Sequence, residues 1–302
     1  MGEKGGERQG VKNGFPSVGR TALTVLIHPP LLFRGFRCML VVWRRFFFFQ
    51  YRSALFPRIP VSRADHELDG LVPFNPAFIR IYLDFVAFWI RITGFLCVRH
   101  GKRGRVLAAE FIDSITALYP FAFQVYRKNL STTPRPRYTR GRFRLIHLTD
   151  PHLMCVPSLH VMIVIHAWTA FRRCLGRLGE TPRPLADKVF AGALAITEAV
   201  LYVKQHSVNC VAAALYAMRR FDPALFSAAD AGAFISGLFA AGSVPPEYAP
   251  CYDGDLVRRE DAPLLREHIA GLYRSFVEAG EQTEHWAAPL LDFLGNCAKT
   301  KK

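Results

Sequence analysis

Six apolar stretches between Leu31 and Met218, set in a strongly basic background, leave few folds open to this chain. A helix needs about 20 mostly apolar residues to cross a bilayer core of roughly 30 Å. Leu31–Tyr51 has the length but contains Arg34, Arg37, Arg44 and Arg45, which makes it a poor span and suits a helix lying in the interface. Phe78–Val98 is better, though Arg80, Asp84 and Arg91 interrupt it, and Val106–Tyr126 carries Glu110 and Asp113. Val161–Phe171 is short, and Val189–Val203 holds one charge, Glu198. Ser207–Met218 would extend only about 18 Å as a helix, too short for a full crossing. Intramembrane charges are costly and face a bundle interior, so Asp84, Glu110, Asp113 and Glu198 are expected to pair with arginines there or to line a substrate path.

Composition narrows the choice further. Apolar residues make up 51% of the 302 and charged ones 21%, which excludes a disordered chain. Seven cysteines, an odd number without a C-x-x-C, give no support to a disulfide scaffold or a zinc site. The net charge of +15 is uneven: residues 1–220 hold 32 basic and 12 acidic side chains, whereas 221–302 hold 7 and 12. Nucleic-acid binders keep Lys and Arg on solvated faces. Here they sit between apolar runs, where they suit loops beside anionic headgroups, so a bilayer is expected as partner and nucleic acid is not.

Three regions follow. Residues 1–20 are Gly-rich and charged and read as a flexible tail. Gly6 breaks a myristoylation signal, and the run from Thr21 to Ile27 ends at His28-Pro29-Pro30 without a cleavage site. Residues 21–220 form the membrane domain. Residues 221–302 read as an acidic, soluble helical extension, with Leu264, Leu265, Ile269, Leu272, Tyr273 and Phe276 at helical spacing. The fold class expected is all-α: a polytopic membrane bundle of about six transmembrane helices with a small helical C-terminal extension.

Three segments combine histidine with residue types that bind phosphate: Lys128-Asn-Leu-Ser-Thr-Thr-Pro-Arg135-Pro136, Pro157-Ser158-Leu159-His160 and Lys204-Gln205-His206. Each has a plain alternative. The first also suits a basic loop beside a membrane, Ser158 is a natural helix N-cap, and a histidine at a helix end is commonly structural. Spacing raises the stakes. The 46 residues from His160 to His206 span about 69 Å as helix, enough for two crossings and a turn, so a hairpin returns His206 to the face that holds His160.

At these residues the chain resembles the type 2 phosphatidic acid phosphatase superfamily, in particular the branch that contains inositol phosphorylceramide synthases. Lys128, Arg135 and Pro136 match its K-x6-R-P motif, and Pro157–His160 matches P-S-G-H with Leu in third place, as in that branch. Lys204-Gln205-His206 is similar to its K-Q-H form of the third motif. Thr149-Asp150-Pro151 and Cys155-Val156 resemble the surroundings of its second motif, and Asp69-Gly-Leu-Val-Pro73-Phe74 resembles its approach to the second helix. The likeness covers roughly residues 30 to 220. It implies an integral membrane lipid phosphatase or headgroup phosphotransferase acting on a phospholipid or polyprenyl phosphate.

In that scheme His206 is the nucleophile and forms a phosphohistidine, and His160 is acid to the leaving oxygen. Lys128, Arg135 and Ser158 hold the phosphate, aided by N–H groups opening the helix. Lys204 is an auxiliary cation. No metal or other cofactor is required. The chain departs from the family where Cys210 stands in place of the aspartate that holds the nucleophilic imidazole, and where Val200 and Ala199 replace Arg and Ser. Glu198 is a conceivable substitute carboxylate. The alternatives are a degenerate relative that binds lipid phosphate without turnover, and a structural membrane protein. With six crossings the basic loops around Arg99–Arg105 and Arg172–Arg183 face the cytoplasm, placing the motifs on the extracytoplasmic side of an inner or plasma membrane.

Overall fold

The computed structural model describes residues 14–180, 183–240 and 244–299. Most of the tail read as residues 1–20 therefore lies outside the described residues, as does the side chain of Arg183. The described chain is predominantly helical. Ser17 caps α1 (Val18–Leu26), its side chain accepting from Arg20 N. At His28 the path bends by 114° into α2 (Pro29–Val42). Two prolines suit its first turn because the N–H groups they lack have no partner there. A π-helical turn (Trp43–Phe47) joins α2 to α3 (Phe48–Leu55).

Strand β1 (Val61–Arg63) and two 3₁₀ turns (Glu67–Leu71, Pro76–Phe78) lead to α4 (Ile79–Tyr82) and then to the longest helix, α5 (Phe85–Tyr126). Gly101 breaks α5 at φ 52°, ψ −127°. The chain doubles back there: a Cβ on Gly104 would lie 1.8 Å from the Leu96 carbonyl oxygen, whereas eight helical residues would separate the two by about 12 Å. The two arms correspond to the second and third apolar stretches. Strand β2 (Leu130–Thr132) pairs in parallel with β1, with Ser62 opposite Ser131. It is followed by α6 (Arg142–Thr149), α7 (Leu159–Leu178), α8 (Arg183–Tyr202) and α9 (Val208–Phe221). All six apolar stretches thus lie in helices.

Length and composition qualify fewer of them for a membrane. One helical run among the described residues, Pro76–Tyr126, holds an 18-residue window apolar enough to cross, with mean hydropathy 1.7 and half of that window buried. Val18–Leu26 and Pro29–Leu55 pass only as a bent pair. The carboxylates within the apolar stretches mostly pair with arginines. Asp113 accepts from Arg34 Nε at 2.8 Å and Arg37 Nη2 at 2.7 Å, Asp84 from Arg91 Nη1 at 2.9 Å, and Glu110 pairs with Arg177.

The C-terminal segment packs onto the bundle rather than standing apart from it. It forms α10 (Ala228–Gly237), α11 (Ala262–Glu281) and α12 (Ala288–Asn296). Leu265, Ile269, Tyr273 and Phe276 of α11 are buried, while Leu264 is exposed. The Tyr216 ring of α9 lies 5.8 Å from that of Phe276, tilted against it, and His268 Nε2 lies 2.8 Å from Asn209 Oδ1. Because α11 runs parallel to α9 and turns Arg274 and Glu278 outward, this flank of the bundle is polar. After α12 the chain returns to the two-stranded sheet, where Lys299 Nζ donates to Ser62 Oγ at 2.8 Å.

Candidate active site

The sheet, the end of α5, the start of α7 and the turn between α8 and α9 meet at one end of the bundle, and the sequence motifs gather there. Ser158 is the N-cap of α7; its buried hydroxyl accepts from Val161 N at 3.4 Å. Two residues on, His160 stacks against Tyr82 and meets Phe85 at a tilt, with ring centroids 4.8 and 4.3 Å away. The α8–α9 turn is fixed by Lys204, which takes φ 55°. Its Nζ donates to the Asp69 carbonyl at 2.6 Å and to the Val72 carbonyl. Lys204 is thereby a clamp on the turn, and burial lowers its pKa. The Asp69 carboxylate accepts from Val208 N at 2.9 Å, at the positive end of α9.

These anchors present His206 to His160: His206 Nε2 lies 3.3 Å from His160 Nδ1. The hairpin therefore closes as the 46-residue spacing requires. Nδ1 of His206 is buried with no side chain to accept its proton. A third histidine, His152, has its ring 6.5 Å from that of His206. All three line a narrow cavity with Asp150, Gln50 and Tyr82.

Arg135 stands behind this cavity with its guanidinium engaged by Asp150. Nη1 donates to the Asp150 carbonyl at 2.9 Å and Nη2 to its carboxylate. Asp150 Oδ1 also accepts from His152 N and from Gln50 Nε2, both at 3.0 Å. Lys128 is elsewhere. It is exposed just past the end of α5, and among the described residues its ammonium makes no hydrogen bond or ion pair. Glu198 does not approach His206: its carboxylate accepts from Phe239 N at 2.7 Å and from the Tyr252 hydroxyl at 2.9 Å, tying α8 to the C-terminal segment. Cys210 is buried in the first turn of α9, where its sulfur accepts from Ser207 N at 3.5 Å.

Asp150, His152 and Gln50 were not among the expected site residues. Asp150 stands in the segment that resembles the family, but nothing in its spacing announces the pair with Arg135. His152 carries a conformational mark invisible in sequence, φ 58°, uncommon for a non-glycine residue. It is held by Thr133 Oγ1, 2.9 Å from its Nε2.

Burial sets the protonation of the site. It pushes His206 well below the usual 6.5, and His160, His152 and Arg135 push the same way against the Cys155 carbonyl. Burial first, then Arg135, lowers His152 to about 3, with Asp150 opposing. Both imidazoles are neutral at pH 7. An unfolded chain protonates these histidines below about pH 6.5 while the folded one does not, so it binds more protons and stability is lost as pH falls from there towards the folded values. The midpoint of chemical denaturation in detergent is expected to drop between pH 7 and pH 5. His152→Gln is expected to flatten that slope; an unchanged slope would show that His152 is protonated while folded.

No protein family, characterised protein or solved structure matches the chain. The reading of the site rests on its own geometry and on the motif resemblance.

Proposed function

We propose that the chain is a membrane-bound lipid phosphatase or phospholipid headgroup phosphotransferase working through a phosphohistidine. His206 Nε2 attacks phosphorus as the P–O bond to the lipid alcohol breaks, and His160 supplies the proton to that leaving oxygen. Water or an acceptor alcohol then attacks the P–N bond and returns its proton to His160. The observation that carries this reading is the 3.3 Å approach of His206 to His160 inside a cavity backed by a guanidinium. The reaction requires a neutral His206 as nucleophile, which burial supplies at pH 7, and an imidazolium at His160, which gives up its proton to the leaving oxygen and regains it from the acceptor. Ser158 and the α7 N-terminus add an anion-favouring field.

The membrane reading rests on the α5 hairpin and on the apolar flank of α1–α3. Because α11 sheathes α9 with a polar face, the proposed lipid contact runs along α1–α3 and α5, with α7, α8 and α9 behind them. The site end faces the extracytoplasmic side, opposite the arginine-rich turn at Gly101.

Three observations favour the degenerate alternative, a protein that binds lipid phosphate without turnover. His206 Nδ1 lacks a carboxylate partner, Arg135 is already paired, and Lys128 is not among the residues that line the cavity. Incubating the detergent-purified chain with radiolabelled phosphatidate and quenching in base separates the two. A base-stable, acid-labile label that is lost in His206→Ala is expected of the enzyme. Lipid binding with no label and no phosphate release indicates the degenerate form.

A further inference from the structure

Large apolar side chains are not exposed evenly. Among the described residues, fifteen of the twenty-two that stand out from the surface fall between Val18 and Phe56. Phe33, Phe36, Met39, Leu40, Trp43 and Phe47 recur at three- and four-residue intervals and are 38–71% exposed. This is one continuous outward stripe along α2 and the π-turn, at helical period but facing away from the core. Single exposed apolar residues need no explanation, whereas a stripe of this length marks a contact surface.

Charge identifies what covers it. No carboxylate occurs between Glu7 and Asp65, while residues 18–58 carry seven arginines. Arg34 and Arg37 are tied to Asp113, and Arg45 lies over the Phe123 ring at 4.7 Å. Arg44, Arg52 and Arg58 are exposed and, among the described residues, unpaired. A second copy of the chain seated here would set arginines against arginines. An anionic lipid surface answers both the stripe and the charge.

The stripe also runs into the site. Phe46, within the π-turn, and Gln50, on α3, line the cavity that holds His160 and His206. Gln50 donates to Asp150 at 3.0 Å and accepts from Leu153 N at 2.9 Å, and the Tyr51 hydroxyl donates to the Thr149 carbonyl. The segment with the greasy outer face therefore forms one wall of the reacting space on its inner face. An i→i+5 turn rotates the helix at that point, and such turns are frequent at functional sites.

We propose that α2, the π-turn and α3 form a lipid platform: its outer stripe lies in an anionic leaflet, and an amphiphile's acyl chain rests along Trp43 and Phe47 while its phosphate passes Gln50 into the cavity. This deepens the phosphotransfer reading and rests on it for the fate of the phosphate. Seating in the leaflet does not depend on turnover.

The test uses the full chain in vesicles of phosphatidylcholine, with and without phosphatidylserine, in which the acyl chains are brominated. The fluorescence difference between wild type and Trp43→Phe isolates Trp43. Quenching of that difference by the brominated chains, stronger at low salt when phosphatidylserine is present, is the expected result. Quenching by aqueous iodide instead, or no response to phosphatidylserine, overturns the platform. A Trp43→Ser/Phe47→Ser variant is then compared on dioleoyl phosphatidate and on soluble p-nitrophenyl phosphate. The expected outcome is a KM raised about 10-fold for the lipid alone; equal changes on both overturn the delivery role. If neither substrate turns over, the phosphotransfer reading fails, and quenching still decides where the platform lies.

Discussion

Cys210→Asp is expected to raise phosphate release from phosphatidate by about 100- to 10,000-fold, and His206→Ala to abolish it in either background. The reason lies in the tautomer of His206. For Nε2 to attack, it must carry a lone pair rather than a proton, so the proton belongs on Nδ1 and the 3.3 Å contact with His160 has to open as phosphorus enters. That Nδ1–H is buried without a carboxylate to accept it. The opposite tautomer points an Nε2–H at His160 and leaves Nδ1 bare, which costs a buried lone pair but no reactive geometry is gained. Loss of an orienting carboxylate in an analogous His–Asp pair lowers turnover by about four orders of magnitude. A carboxylate at 210 also suits its backbone. Position 210 is the third residue of α9, behind the Ser207 N-cap, where an acidic side chain completes a capping box and meets the helix's positive end. The gain is read as initial rate in detergent micelles, with phosphohistidine label measured in parallel. A Cys210→Asn control keeps the size and hydrogen-bonding of the new side chain but not its charge, and should recover far less. If Asp and Asn behave alike, Cys210 is not where the imidazole is oriented.

How much of this was legible in the sequence depends on the range of the interaction. Apolar runs and arginine placement locate the helices, because burial periodicity is local. The His160–His206 encounter was also within reach, since 46 residues of helix can only go out and back. The roles of Arg135, Lys204 and Glu198 were not. Each is decided by a partner far along the chain or by a backbone twist: Asp150 for Arg135, the Asp69 and Val72 carbonyls for Lys204, Phe239 and Tyr252 for Glu198. Charge type alone cannot distinguish a cation that clamps a turn from one that holds a ligand. The C-terminal segment shows the same limit. Its acidic composition suggests a separate soluble piece, yet the apolar face of α11 finds α9, a match that no local pattern encodes.

Arg135 and Asp150 supply the second large effect, and here the two variants are expected to move in opposite directions. The guanidinium offers five donors in a fixed fork; in this structure two nitrogens serve Asp150, and Nε has no partner. On the proposed phosphotransfer reading, that carboxylate occupies the position a phosphate oxygen would take, and substrate would have to displace it. Asp150→Asn keeps an acceptor for His152 N and Gln50 Nε2 while removing the competing charge. Vanadate, a mimic of the transferring phosphoryl group, should then bind about 10-fold tighter. Arg135→Gln should weaken vanadate by at least as much. It should also cost about 2–3 kcal/mol of stability, because Asp150 is left with its charge unpaired in a mostly buried site. The double variant should recover part of that loss, since neither charge remains to be neutralised. Titration of vanadate against intrinsic fluorescence, with denaturation of the same four proteins, reads both quantities. If Asp150→Asn weakens vanadate as Arg135→Gln does, then Asp150 holds the guanidinium in place for the ligand rather than against it. The ion pair would then be part of the binding-competent site, and the cavity would be open to phosphate as it stands.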